Sequence, residues 1–348
     1  MTRIIEDSRL PGPNDVEVEK PGSPSMSTTT LPGWLWCIVA LCTTVGCETP
    51  APHVAPATSA LESEVLLAWD SDVGRIIGDE SASEGPESFT LLPDGSVLVL
   101  DQVNQRVLRV EADGRVTGTI ELPASTFEDI EQFEGRAVLV LDRLVGRVLR
   151  VMDMQGEPLV DVPLEGTGIE HGGSITAVLP RPDGVWLEVD HRHSVRVLDR
   201  ELRPCQRQVI LGRPIADAQS LRGELDDDGG VRISTGRRVD REPARTVTLR
   251  ADAPIERIVW LDTDARGRVY VVLHEVRRSD VSPFGVENER YLMVVLDGQL
   301  SEIDRVPSSW VRTEVDQMTE FRVGDGNLWQ MAFTTEGVLL VDWGRRQP

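Results

Sequence analysis

The chain has 348 residues, which is enough for two average domains or for one large all-β ring, and too many for a mini-protein that depends on disulfide bonds. It carries 58 acidic and 36 basic residues, which gives a formal net charge of -22. Such a charge repels the phosphates of nucleic acids, so we expect no nucleic-acid partner.

The amino-terminal segment, residues 1–30, carries Pro, Gly, Ser and Thr with scattered acids and has no apolar period. A segment of this composition cannot bury a core. We expect it to be disordered, or to be translated from a start codon upstream of the true one, for which Met26 is the candidate.

Residues 31–47 form an apolar run that ends on small residues immediately before a cysteine, which is typical of a secretory signal. Its end, Thr44-Val45-Gly46-Cys47, resembles a bacterial lipobox, in which the cysteine is lipidated and becomes the mature amino terminus. The resemblance implies an exported lipoprotein, anchored in the cell envelope at the periplasmic face or on the outer membrane. An ordinary cleaved signal and an uncleaved anchor remain alternatives, although the run is shorter than the ~20 residues of a spanning helix.

Residues 48–63 are rich in Ala and Pro and are typical of a linker between a membrane surface and a domain. Two of the four cysteines, Cys37 and Cys42, lie inside the signal, and Cys47 is the predicted lipidation site. Cys205 is then alone in the folded part, so no disulfide can form within the domain. We expect Cys205 to be a buried structural thiol.

From residue 64 onwards, a pattern of four short β-runs recurs along the chain. In its clearest copy, apolar runs at 89–92, 97–101 and 106–110 are followed by a fourth at 116–120, with Asp-Gly turns before the second and the fourth. The glycine of the first turn recurs at intervals of 38 to 59 residues, at Gly95, Gly135, Gly184, Gly229, Gly267 and Gly326.

Repeats of ~40 to 50 residues with four strands each are the signature of β-propeller blades. Six copies predict an all-β fold, a six-bladed β-propeller over residues 64–348. The sixth copy has room for only three strands, so we expect Val65–Trp69 to supply the fourth and to close the ring. A β-sandwich is the alternative, but it predicts neither the period nor the missing strand. No helical period indicates an α/β fold.

The first blade is similar to an NHL repeat. The similarity lies in Arg75–Asp79, Asp94-Gly95, Val97–Asp101, Asn104 and Arg106. The similarity is clear over about two blades. It implies a family whose members bind protein, RNA or glycan on a propeller face and also include lyases and hydrolases, so the fold alone does not select a function.

Turns alternate between the two faces of such a ring, so the tight glycine turns share one face and the second-to-third-strand loops and blade connectors share the other. The long segments 78–88, 166–174, 236–244 and 276–290 are all predicted on this second face, where binding residues concentrate. Three neighbouring blades are expected to place potentially cationic side chains there: His191, Arg192, His193, Arg237, Arg238, Arg241, Arg277 and Arg278.

Arginine forks suit carboxylates and phosphates. We therefore expect a ligand-binding patch that recognises a protein surface, an anionic glycan or a lipid phosphate. The alternative is a set of solvated loop charges, cancelled in part by nearby acids at Asp240, Glu242, Asp280, Glu287 and Glu289.

A propeller lyase or hydrolase acting at the central channel is the alternative function. His171 lies on a connector that could overhang the channel, and propeller lyases use a histidine there, while His191 and His193 lack a third ligand at zinc-site spacing. We assign no catalytic residue, no metal and no cofactor. Asp101, Asn104 and Arg106 are interpreted as a structural hydrogen-bond set. The sequence favours a binding or scaffold module over an enzyme.

Overall fold

The computed structural model describes residues 64–77, 83–240, 242–278, 286–308, 315–316, 318–324 and 326–343. All of them belong to the second of two units into which the chain divides, Thr58–Pro348. The predicted signal, the lipidation site Cys47, the linker and Arg241 lie outside the described residues. In the described part, no helix is long and apolar enough to cross a membrane.

The described residues form strands almost throughout, with 3-10 helices only at Gln102–Asn104 and Gly172–Ser174. In chain order the strands are β1 (Glu64–Ala68), β2 (Ser83–Glu84), β3 (Ser88–Leu91), β4 (Val97–Asp101), β5 (Arg106–Val110), β6 (Val116–Glu121), β7 (Asp129–Phe133), β8 (Ala137–Asp142), β9 (Val148–Asp153), β10 (Pro158–Pro163), β11 (Ile175–Arg181), β12 (Gly184–Val189), β13 (His193–Leu198), β14 (Pro204–Leu211), β15 (Arg213–Ile215), β16 (Gln219–Leu225), β17 (Val231–Arg237), β18 (Arg245–Leu249), β19 (Ile255–Thr263), β20 (Val269–Arg278), β21 (Val286–Leu296), β22 (Glu302–Ser308), β23 (Val315–Asp316), β24 (Phe321–Val323), β25 (Leu328–Phe333) and β26 (Gly337–Asp342).

Six four-stranded antiparallel sheets are arranged in a ring, which confirms the six-bladed β-propeller. Blades 1 to 5 are β3–β6, β7–β10, β11–β14, β15–β18 and β19–β22. Blade 6 is β24–β26 with β1 as its outer strand, in the order β1-β26-β25-β24. The predicted ring closure is therefore also confirmed, with Glu64 opposite Val341 and Ala68 opposite Gly337. A short parallel pair, β2 with β23, joins two of the connectors.

The core lies between neighbouring blades. The second strands of blades 1 and 2, β4 and β8, are buried along their whole length because another blade covers each face. This explains why the sequence shows continuous Val and Leu runs there instead of strict alternation. The face of blade 3 that is turned toward blade 4 has a small buried cluster, formed by Ala177, Leu179, Trp186 and Ile210. Its Trp186 ring is covered by the guanidinium of Arg238, 5.0 Å from the centroid.

Blade 4 differs from the prediction in the order of its strands. Gly229 was predicted in the first turn of its blade, which would make the preceding run at 221–225 the innermost strand. That run is instead part of β16, the second strand, and Gly229 lies in the second turn. The innermost strand is β15, which has three residues and directly follows the last strand of blade 3. Three residues that include an arginine and a proline give no apolar signal, so the sequence pattern could not reveal this strand.

The Asp101 set ties the second strand of blade 1 to the loop that follows, as predicted. The carboxylate of Asp101 accepts from the Asn104 amide at 2.9 Å, from Arg106 Nε at 2.9 Å and from the Gly74 backbone at 3.0 Å. Arg106 also donates to the Asp72 carbonyl at 2.8 Å. These contacts hold the chain between β1 and blade 1 against the ring.

Candidate functional site

A cleft opens in blade 4 because the innermost strand is less than half the length of its neighbour, with three residues against seven. Residues Arg213 to Ile215 pair with Leu221 to Gln219 of β16, and the pairing goes no further. The upper half of β16, residues 222–225, has no strand on its inner edge among the described residues. The other edge of β16 is paired along its whole length with β17.

The short connector between blades 3 and 4 explains the short strand. Only Gly212 separates β14 from β15, whereas the connectors into blades 2, 3 and 5 run over 122–128, 164–174 and 250–254. Gly212 has a φ of +76°, and a Cβ there would lie 2.4 Å from the Leu221 carbonyl oxygen. Only glycine fits this close approach without strain. The chain therefore enters blade 4 halfway along β16, and the space beside residues 222–225 stays open.

The cleft has a volume of about 690 Å³ and lies between blades 3 and 5. Its lining includes three acidic residues and three arginines, namely Glu188, Asp190, Glu224, Arg192, Arg213 and Arg222. The guanidinium of Arg222 also donates to the Asp240 carbonyl, at 3.1 Å. These charges balance, although the whole chain carries -22. Apolar side chains supply much of the remaining wall, namely Leu211, Leu221, Leu225, Ile258, Val259, Trp260 and Leu261.

Arg213 forms the floor of the cleft and is fully engaged. Its guanidinium makes a two-point contact with Glu188, at 2.6 Å and 2.8 Å, and donates to the Leu261 carbonyl. It also lies over the Trp260 ring, 5.1 Å from the centroid. Burial acts to raise the pKa of Glu188, but Arg213 and His191 hold it well below its usual range. The pair is a fixed, ionised part of the wall.

The central channel contains a second ionic network. Arg322 Nη2 lies 2.6 Å from Asp129 and its Nε lies 3.0 Å from Glu131, so one guanidinium serves two carboxylates. Ser88 and Thr319 both donate to the Asp129 carboxylate, at 2.6 Å and 3.1 Å. Burial raises the pKa of Glu131 to about 7, against the attraction of Arg322 and with the help of the neighbouring Asp129 charge. This network joins the inner strands of blades 1, 2 and 6 across the channel.

The predicted basic patch is divided between the two faces. His191, Arg192 and His193 lie at the turn between the second and third strands of blade 3, and Arg277 and Arg278 end the second strand of blade 5, as expected. Arg237 and Arg238 instead end the third strand of blade 4, on the opposite face. Arg238 forms an ion pair at 2.5 Å with Asp183, which lies in the first turn of blade 3, and this contact shows the placement. The prediction was wrong because it counted the strands of blade 4 from Leu221.

Several of the predicted ligand-binding residues already have partners within the protein. Arg278 pairs with Glu256, Arg277 donates to the Asp252 carbonyl at 3.3 Å, and His193 Nε2 lies 2.9 Å from the Gly168 carbonyl. Only His191 and Arg192 of the predicted set line the cleft.

The other cleft residues were not predicted, among them Arg213, Arg222, Glu224 and Trp260. The signal that could have revealed them is the spacing of only two residues, Gly212 and Arg213, between the run at 204–211 and Pro214, which is too short for a normal blade connector.

Two further expectations concern His171 and Cys205. His171 is exposed immediately before the short helix that leads into blade 3, and no side-chain partner of it is seen in the described part of the chain. Among these residues, no group of three His, Cys, Asp or Glu is placed to hold a metal ion. Cys205 is partly exposed on β14, the outer strand of blade 3, so the expected burial of its thiol is wrong.

Comparison with known proteins extends only to the fold. No family model and no curated protein matches the chain. Among solved structures it is similar to hydrazine synthase from Kuenenia stuttgartiensis, with 10% identity, a TM-score of 0.48, and 74% of this chain and 75% of that chain covered. A member of the DUF4221 family from Bacteroides vulgatus gives 10%, 0.46, 81% and 96%. Virginiamycin B lyase from Staphylococcus aureus gives 10%, 0.42, 80% and 98%. Likenesses this distant carry nothing about activity.

Proposed function

We propose that the protein is an exported binding module of the cell envelope that holds a polypeptide partner in the blade 4 cleft. In this proposal a lipid on Cys47 anchors the chain and residues 48–63 separate the membrane from the ring. The module acts as a scaffold, at the periplasmic face or on the outer membrane. The cleft, and not a broad arginine patch, is the recognition site.

The balanced charge of the cleft lining, together with the apolar wall beside it, is the observation that carries this proposal. Concave sites with apolar walls and a few fixed polar groups are the usual binding sites of proteins. An anionic glycan or a lipid phosphate would gain little from a lining in which Asp190 and Glu224 offset the cationic groups. A polypeptide segment offers both apolar side chains and hydrogen-bonding groups, so it fits this lining better.

The partnering of the acidic side chains in the channel and in the cleft favours binding over the alternative of a lyase or hydrolase. Asp129 and Glu131 face Arg322, and Glu188 is held by Arg213 at two points. Groups tied in this way hold the inner strands together. A catalytic acid or base must instead reach a substrate with its proton.

The test compares the full-length protein, in detergent, with the variant Leu225→Arg. Leu225 lies at the cleft and its side chain is 48% exposed, so the added guanidinium blocks the site without opening the core. Leu159→Arg is the matched control, because Leu159 is 55% exposed on the outer strand of blade 2. The probes are an immobilised random heptapeptide library, a heparin resin and phosphatidylglycerol vesicles.

We expect the wild type and Leu159→Arg to retain a common set of peptides, and Leu225→Arg to retain them at least tenfold less. Equal retention by all three proteins would place peptide binding outside the cleft. Retention of heparin or vesicles without any peptide would show that the ligand is anionic. Either result would overturn the proposal.

A further inference from the structure

The backbone hydrogen bonds of β16 point alternately to its two edges. One hydrogen bond at each end of the strand shows which residues bond to β17. At one end the Arg238 amide donates to the Ala218 carbonyl at 2.9 Å, and at the other the Asp226 amide donates to the Gly230 carbonyl at 2.8 Å. In an antiparallel pair every second residue exchanges both of its bonds with the partner strand. Even-numbered residues from 218 to 226 therefore bond to β17.

The odd-numbered residues of β16 point their amide and carbonyl groups to the inner edge. Pro214 supports this phase because it lies opposite Ser220, an even-numbered residue whose bonds go to β17, and a proline has no amide hydrogen to donate. Leu221 and Gln219 meet β15 on the inner edge. Gly223 and Leu225 direct the same groups into the cleft, where the described residues provide no strand to meet them.

The walls beside this edge suit an added strand. A Cβ at Gly223 would lie 2.8 Å from Ile258 and 2.9 Å from Leu261, so one side of the position is tightly packed apolar surface. On the other side stand the polar groups of blade 3, including His191 and Arg192. A strand in this place would present alternate side chains to the apolar wall and to the polar one.

We propose that an extended segment of the polypeptide partner adds to β16 as an antiparallel strand, prolongs β15 upwards and completes blade 4. This inference rests on the proposed function and names the form in which its ligand is bound. Backbone hydrogen bonds to an exposed sheet edge give affinity, and alternate side-chain pockets give specificity. The segment has apolar residues at every second position and no net charge.

The chain's own linker is a poor occupant of this edge. Residues 48–63 include Pro50, Pro52 and Pro56, at alternate or nearby positions. Because these three prolines have the same parity, a linker strand could place all of them at the positions that do not donate to β16, as Pro214 does in β15. The donating positions, which face the apolar wall, would then be Thr49, Ala51, His53 and Ala55. These small or polar side chains fill that wall poorly, so a partner segment with larger apolar residues at every second position is the better occupant.

The first test measures amide hydrogen exchange in the full-length protein by NMR, with and without a heptapeptide selected on the wild type. In the free protein we expect slow exchange at Arg222 and Glu224 and rapid exchange at Gly223 and Leu225. Bound peptide should slow the last two amides at least tenfold. Protection of Gly223 and Leu225 in the free protein would show that the edge is already occupied. If that protection disappears in a variant that lacks residues 48–63, the linker is the occupant. Either finding overturns the inference.

The second test separates strand addition from simple filling of the cleft. Leu225→Pro removes the amide that points to the inner edge and spares the amides that bond to β17, while Leu225→Ala keeps every backbone group. We expect Leu225→Pro to weaken peptide binding about tenfold more than Leu225→Ala does, at unchanged circular dichroism. N-methylation of the peptide should weaken binding at alternate positions only. Equal losses for the two variants, or an N-methyl scan without alternation, would end the strand inference and leave peptide binding in the cleft intact.

Discussion

At the centre of the ring, a single guanidinium compensates two carboxylates that are largely removed from solvent. Arg322 is 4% exposed and contacts both Asp129 and Glu131. Two acids and one base leave one negative charge in a desolvated place, which is costly. A proton on Glu131 removes that charge. This is the physical reason for the raised pKa of Glu131, about 7.

The raised pKa predicts that wild-type stability falls with pH in a way that Glu131→Gln abolishes. A carboxyl whose folded pKa lies above its unfolded value binds its proton more tightly in the folded state, so the free energy of unfolding falls as pH rises from about 4.5 to 7. Between pH 5 and pH 8 we expect the wild type to lose on the order of 2 to 3 kcal/mol relative to the variant. Urea unfolding at several pH values measures this difference.

The control for this experiment is Glu134→Gln, which changes a carboxylate whose side chain is 40% exposed in the next turn. It should give a difference from the wild type that does not vary over the same pH range. If Glu131→Gln also differs from the wild type by a constant amount, Glu131 is ionised throughout and the network carries an uncompensated charge.

Single residues of the site could be predicted from the sequence only where the sequence also revealed their position within a blade. His191 and Arg192 follow the second strand of a regular blade, so their place at the cleft could be expected. Arg322 meets Asp129 across 193 positions of sequence, and no local pattern reports such a pair. Arg213 was hidden for a different reason, because its strand has no apolar residue pattern.

Among the elements, β1 contributes a complete outer strand to blade 6. Leu67 is fully buried in the cluster between blades 6 and 1, whereas Leu66, on the other side of the same strand, is 43% exposed. We expect Leu67→Ala to lower the free energy of unfolding by about 2 to 5 kcal/mol, because it leaves a cavity in that cluster. Urea unfolding monitored by circular dichroism measures the loss.

Leu66→Ala is the control within the same strand, and we expect it to change stability by less than ~0.5 kcal/mol. Equal and small effects of the two substitutions would mean that β1 does not stabilise the ring. Two large effects would mean that Leu66 is covered by a part of the protein outside the described residues.

The elements differ in how clearly the sequence reveals them. β1 could be predicted because the last repeat lacks one strand and an apolar run precedes the first repeat. β15 could not, because strand prediction depends on apolar period and length, and three residues provide neither. The error at β15 shifted every later strand of blade 4 by one position and moved Arg237 and Arg238 to the wrong face. One short element thus changed the predicted site more than the predicted fold.

For the whole molecule, anchoring by Cys47 remains a prediction from the sequence. We expect the wild type to sediment with membranes and to incorporate a labelled fatty acid. Cys47→Ser should remain in the supernatant unlabelled, since the lipid then has no thiol to join. Cys205→Ser is the matched control, because it removes the other cysteine of the predicted mature chain. Membrane sedimentation of Cys47→Ser would contradict the lipid anchor.

The position of β1 beside β26 has a consequence for the order of events during synthesis. The first strand to emerge needs the last one as its partner, so it must wait, unpaired, until about 270 further residues have followed it. Native assembly is therefore postponed until the whole polypeptide has been delivered. A product that lacks even its final strand would leave both terminal strands without that pairing partner, which makes incomplete copies targets for proteolysis.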